Sequence, residues 1–164
     1  VFIDQRQCNF YTYNPSTKTY SLYSPTGALI RTTTERPLEL GKVKEKKTVA
    51  GYTYTVQYPD LVTPNTVKTY TVTPDRQFLR FFRDNNNNIY GINPGGIWKY
   101  NDRGEFVDKL IIPKTQYGES KIIGVERIRP ILAEYGEPVI APNGDVYTWK
   151  RTPDRYSIIK WTWR

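Results

Sequence analysis

The chain has 164 residues, enough to bury a core without disulfides, and its single cysteine and lack of histidine exclude a disulfide framework, the usual zinc sites, a Ser-His-Asp triad and a Cys-His dyad. A formal net charge of +8, from 24 basic and 16 acidic residues, suits nucleic acid, an anionic glycan, a cell-wall polymer or an acidic protein as partner. Aromatic content is 15%, and 12 Pro and 11 Gly cut the chain into short segments, which points to an all-β fold.

Cys8 has no base to activate it and reads as a buried structural thiol. Phe10 to Tyr13 and Thr19 to Tyr23 flank the turn Asn14-Pro15-Ser16-Thr17, and Ser24-Pro25-Thr26-Gly27 leads into a strand over Ala28 to Thr32. Lys42, Lys44, Lys46 and Lys47, relieved by Glu45, read as a solvated loop that keeps a tyrosine-rich domain soluble, with a polyanion site as the alternative. Tyr52, Tyr54, Val56 and Tyr58 alternate with threonine and glutamine, giving a strand with one apolar and one polar face. Val67 to Thr73 is its expected partner, across a loop containing Pro59 and Pro64.

Phe78 to Phe82 reads as an apolar strand running into Asp84-Asn85-Asn86-Asn87-Asn88. Ile89 to Ile92 and Ile97 to Tyr100 make a hairpin around Pro94-Gly95-Gly96, and Asn101 to Gly104 turns the chain into Phe106 to Ile112. Residues 119–135 break the pattern: Ile122, Ile123, Val125 and Ile128 suggest one or two helical turns, kept short by Gly124 and Pro130. Pro142-Asn143-Gly144-Asp145 launches Val146-Tyr147 much as the Asn-rich turn launches Ile89-Tyr90. The last strand, Tyr156 to Trp163, places Ile159, Trp161 and Trp163 on one face.

Two spacings recur. Thr73-Pro74-Asp75-Arg76 returns as Thr152-Pro153-Asp154-Arg155 at an offset of 79, which also relates Tyr11, Asn14 and Pro15 to Tyr90, Asn93 and Pro94, and Val67 and Thr69 to Val146 and Thr148. Asn86 and Tyr90 meet Asn143 and Tyr147 at an offset of 57. The expected organisation is one all-β domain over 1–164 with two related halves, about 1–83 and 84–164, or a fragment of a longer protein. There is no apolar run of membrane-spanning length and no signal peptide. The first residue is Val1 and methionine is absent, so a processed or trimmed chain is expected, outside the cytoplasm (secreted, periplasmic or cell-surface).

Phe78 to Ile92, an apolar strand, an Asp/Asn turn and an aliphatic-tyrosine strand in succession, resembles the inner-strand signature of tachylectin-like and NHL-type β-propellers. Trp98 to Tyr100, Asn101 to Gly104 and Phe106 to Leu110 look like the third strand, turn and outer strand of the same blade, and Pro138 to Trp149 resembles the opening of another. The resemblance implies antiparallel hairpin repeats in a propeller-like arrangement. At about 40 residues per blade the chain would supply three or four blades, hence part of a ring, a small ring, or a unit closed by other copies. A β-sandwich is the alternative. The resemblance also raises a carbohydrate-binding role, without fixing any sugar-contacting residue.

Asp84, Asn86 and Asn88 have the spacing that opens a calcium loop, but Ile89 and Gly95 stand where such a loop needs Gly and a bidentate acid, so no metal and no cofactor is expected. The 16 acids make chance carboxylate pairs for glycoside hydrolysis inevitable, most sit in turns (Asp75, Asp102, Asp145, Asp154) and no spacing singles out a pair, so no enzyme activity is expected. The candidate binding surface is the aromatic and basic set Trp98, Tyr100, Tyr147, Trp149, Lys150, Arg151, Tyr156, Trp161 and Trp163. Basic residues interleaved with aromatics (Arg80, Lys99, Lys160) also suit single-stranded nucleic acid, but no nucleic-acid motif accompanies them. The expectation is a non-enzymatic binding or assembly module for a protein partner or copies of itself. A lectin-like carbohydrate binder comes second and a polyanion or nucleic-acid binder third.

Overall fold

In the computed structural model the alternation of apolar and polar residues is realised, among the described residues, as sixteen strands. The structure describes residues 2–3, 9–93, 95–112, 116–122, 125–132, 138–151 and 154–163. Cys8, Pro94, Ile123, Gly124, Thr152 and Pro153 lie outside them, as does the side chain of Arg151. The chain divides into two units, Val1–Arg76 and Gln77–Arg164.

In the first unit, β1 (Phe2–Ile3), β2 (Phe10–Asn14), β3 (Thr19–Tyr23) and β4 (Leu29–Thr33) form an antiparallel meander. Tyr11 is buried and its hydroxyl accepts a hydrogen bond from Arg31 Nη2 at 2.8 Å. A short 3-10 helix, Leu38–Leu40, leads to β5 (Lys42–Thr48), β6 (Gly51–Pro59) and β7 (Val67–Val72), a second antiparallel sheet. Its apolar face carries Tyr54, Val56, Tyr58, Tyr70 and Val72, all buried, each contributing about 1.5–3 kcal/mol. The lysine-rich run is therefore a strand and not a loop. Every residue of β5 pairs with β6, from Lys42 opposite Gln57 to Thr48 opposite Gly51, because β6 offers an unpaired backbone edge to whatever precedes it.

In the second unit, β8 (Arg80–Arg83), β9 (Ile89–Asn93), β10 (Gly96–Tyr100) and β11 (Phe106–Ile111) form a four-stranded antiparallel meander. Then come the hairpin β12 (Gln116–Ile122) and β13 (Val125–Leu132), and a three-stranded sheet of β14 (Val139–Ile140), β15 (Val146–Arg151) and β16 (Tyr156–Trp161). Among the described residues of 119–135 the expected helical turns are not found; Ile123 and Gly124 lie outside them. Lys121 pairs with Glu126 and Ile122 with Val125 in antiparallel register, so Ile122, Val125 and Ile128 stand on paired strands, where β-branching is favourable. The last strand ends at Trp161, two residues short of expectation. Phe78 lies outside β8 and is buried as a plug: a Cβ at Gly91 would fall 2.4 Å from its ring, and the rings of Phe81 and Trp98 stand 5.5 and 5.4 Å away.

Four hairpin loops share one turn. In Ser24–Ala28, Asp84–Asn88, Asn101–Glu105 and Ala141–Asp145 the first N–H donates to the fifth carbonyl, and the fourth N–H to the first carbonyl. The fourth residue has positive φ in each: Gly27 (85°), Asn87 (60°), Gly104 (82°) and Gly144 (86°). This is the turn-plus-bulge that closes a three-residue hairpin loop and agrees with strand twist. It underlies the 57-residue offset but not the 79-residue one, whose Pro94, Thr152 and Pro153 lie outside the described residues. The 79-residue offset lays Phe10–Asn14 on Ile89–Asn93, both second strands of four-stranded meanders, and the 57-residue offset lays β9 on β15, both launched by this turn. The match of Val67 and Thr69 to Val146 and Thr148 sets the last strand of one three-stranded sheet against the middle strand of another. Among the described residues no sheet closes into a barrel.

Candidate functional site

The nine candidate surface residues all belong to the second unit, and the sheets there sort them. On β9 and β10, Tyr90, Ile92 and Ile97 share the face that packs with Ile140 and Val146 in one apolar cluster, joined by Phe82, Leu110, Trp161 and Trp163. The opposite face carries Trp98 and Tyr100 beneath Phe78. Each is 5% exposed, so these two lie in the core.

Strand β15 alternates sharply. Val146 and Thr148 point inward and are buried, with Lys150 half-buried on the same side. Trp161, half-buried, donates from Nε1 to Thr148 Oγ1 at 2.8 Å, which fixes its ring on the inner side. Trp163 donates from Nε1 to the Gly144 carbonyl at 3.1 Å and stands 5.7 Å from the Tyr90 ring. Lys99 Nζ sits 5.6 Å from the Trp163 ring centroid and 5.9 Å from that of Tyr90. Aromatic faces attract such a cation, so Lys99 and Trp163 are tied to the buried Tyr90 at the edge of the core.

The outer face of the same sheet remains. Cross-strand pairing sets Val139 beside Tyr147, Tyr147 beside Lys160, and Trp149 beside Ile158. Trp149 is 44% exposed, Tyr156 69% and Ile158 79%; the two rings stand 6.2 Å apart, tilted by 52°. At one end Lys160 Nζ reaches Asp145 Oδ2 at 2.6 Å, and Tyr147 OH donates to the same oxygen at 3.3 Å. Lys160 and the Asn143 amide hold the Asp145 carboxyl below its ordinary range, and Asp145 in turn raises Lys160. Among the described residues β16 pairs only with β15, so its outer backbone edge has no strand beside it. The sequence named Trp149 and Tyr156 for this face but missed Val139 and Ile158, which period-two alternation places there once the register is known.

The Asn-rich turn buries Asp84 and Asn87 and exposes Asn85 and Asn86. Asp84 is buried, and its Oδ1 accepts the N–H groups of Asn86 and Asn88 at 2.9 Å each. Its Oδ2 accepts from Asn88 Nδ2 and from Tyr90 OH, both at 2.8 Å. The carboxylate is thus surrounded by donors, the arrangement that holds an anion in place and leaves it turned away from a cation. The turn at Ala141–Asp145 packs on it: Asn85 N–H donates to the Pro142 carbonyl at 2.7 Å. Among the described residues no three His, Cys, Asp or Glu side chains gather where they could hold a metal, and no helix is long and apolar enough to cross a membrane. The sequence matches no family model, and no curated protein matches it.

Proposed function

We propose that this chain is a non-enzymatic assembly module that joins copies of itself through the β14–β16 sheet. The observation that carries the reading is the coincidence of an open strand edge with an exposed apolar face. Tyr156 and Ile158 stand in water on β16, whose outer edge no described strand covers, with Trp149 beside them on β15 and Val139 exposed on β14. Open edges and clustered exposed apolar groups both favour association. Antiparallel pairing of two β16 strands about a two-fold axis satisfies both backbones and brings the two Ile158 and Tyr156 surfaces together. Lys160 and Asp145 form a polar rim that limits sliding of the register. The resemblance to tachylectin-like and NHL-type blades fits a module whose edges are closed by neighbouring sheets.

Sedimentation velocity over a concentration series tests this. The expected outcome is a rise in mass above the 19.2 kDa monomer, abolished by Ile158→Lys. A strict monomer at high concentration overturns it. A glycan reading rests on the Trp149–Tyr156 pair, whose 52° tilt offers no single plane to a pyranose ring. Quenching or enhancement of tryptophan fluorescence by sugars, lost in Trp149→Ala, would favour it instead.

A further inference from the structure

We infer that the polar face of the β5–β7 sheet binds a linear anionic polysaccharide, one bearing sulfate or phosphate groups along its length. In sequence, Glu45 relieves the lysine run. In the sheet it does not. Strand alternation puts Lys42, Lys44 and Lys46 on one face and Val43, Glu45 and Lys47 on the other, a division anchored by Lys47, whose Nζ lies 5.8 Å from the ring of its cross-strand partner Tyr52 on the aromatic side.

The three lysines are exposed along β5, with successive Cα atoms about 6.8 Å apart by the rise of an antiparallel strand. Pairing extends each into a row of hydrogen-bonding side chains. Lys42 faces Gln57 and then Thr69; Lys44 faces Thr55 and then Thr71; Lys46 faces Thr53. Gln57 Nε2 donates to Thr69 Oγ1 at 3.3 Å, which confirms that these side chains share a face. No acidic residue and no aromatic residue stands on this face of β5, β6 or β7.

Three features choose the occupant. A straight row of cations at near-constant spacing complements a polymer with regularly spaced anions. Threonine hydroxyls and a glutamine amide hydrogen-bond sugar hydroxyls in the plane of the sheet. The absence of aromatic rings removes the stacking platform on which single-stranded nucleic acid depends. Lysines on an edge strand also discourage edge-to-edge aggregation, but that role is served by charge of either sign on either face. It gives no reason for sorting the cations from the acid.

The experiment is titration of the full chain with a heparin-derived oligosaccharide, from about 50 mM to about 200 mM NaCl, with poly(dT) as a second probe. Binding is expected, with log K falling against log salt at a slope of about −2, as for three released counterions. Lys42→Gln/Lys44→Gln/Lys46→Gln should weaken it about tenfold or more and flatten the slope, whereas the equal charge removal Lys18→Gln/Arg103→Gln/Lys109→Gln should change it less than about twofold. Near-UV circular dichroism checks the fold of both. Amide shifts in the unmodified protein should map to β5, β6 and β7. No binding at low salt, equal losses from the two variants, shifts confined to the second unit, or stronger lysine-dependent binding of poly(dT) than of heparin would each overturn the inference.

Discussion

The phenol of Tyr90 donates a 2.8 Å hydrogen bond to Oδ2 of Asp84, six residues earlier, across the turn that connects β8 to β9. Both groups are essentially sealed from water, and Gly144 of the neighbouring turn closes over them, so close that a Cβ there would lie 2.6 Å from the phenol oxygen. The turn thus exposes Asn85 and Asn86 while holding a sealed polar contact between Asp84 and Tyr90.

Burial is the main reason the Tyr90 phenol resists ionisation, and the Asp84 carboxylate adds to it, so its pKa is raised well above the ordinary tyrosine range. The folded pKa exceeds the unfolded one. The resulting stability is therefore fully present below about pH 10, the unfolded value, and is lost as pH rises above it. Alkaline unfolding followed by circular dichroism should begin above that pH, with an absorbance titration near 295 nm that lags for Tyr90. Tyr90→Phe should flatten the Tyr90 contribution to the alkaline limb and cost about 1.5–3 kcal/mol at neutral pH, the worth of a hydrogen bond to a charged acceptor.

Gly27 and Gly144 occupy the same position of the same turn, at φ 85° and 86°. Nothing lies within 4 Å of a Cβ at Gly27, whereas one at Gly144 meets Tyr90 OH at 2.6 Å and Asp84 Oδ2 at 3.1 Å. Gly27→Ala should cost about 1–2 kcal/mol for the left-handed backbone alone. Gly144→Ala should cost about 1–3 kcal/mol more, since the core must shift to admit it. Equal losses in urea denaturation would mean that the two turns are not packed as described.

Asp84 and Asn101 each open one of these turns and accept two backbone N–H groups through Oδ1. Asp84 also takes the Asn88 amide and the Tyr90 hydroxyl, and is buried. Asp84→Ala should cost about 3 kcal/mol or more, leaving several buried donors without an acceptor. Asn101→Ala should cost about 1 kcal/mol, because water replaces the lost carbonyl. Chemical denaturation of the two variants compares them directly.

The exposed carboxyl of Asp145 is held below its ordinary pKa chiefly by Lys160 and then by Asn143. A depressed carboxylate stabilises the fold above its unfolded pKa, and that contribution is lost as pH falls through the lowered value. Carboxyl titration by NMR should place Asp145 below the ordinary range, and Lys160→Met should move it back upward. An unchanged value in that variant would remove Lys160 as the cause.

Much of this architecture follows from the sequence alone. Tyr52 to Tyr58 alternate so regularly that strand and buried face are both fixed by period two, and the four five-residue turns are marked by Asx or Ser at the first position, or Gly or Asn at the fourth. These are local signals, set by the steric limits of a few consecutive residues. Which aromatics reach solvent was decided elsewhere. Trp98 and Trp149 have similar neighbours in sequence, yet one is covered by Phe78 over Gly91 and the other stands on an outer face. Likewise Ile122 and Val125 became a hairpin through cross-strand pairing, and Lys44 parted from Glu45 only because β6 made a strand of their segment. Burial and pairing depend on residues distant in the chain, so only the tertiary structure could assign them.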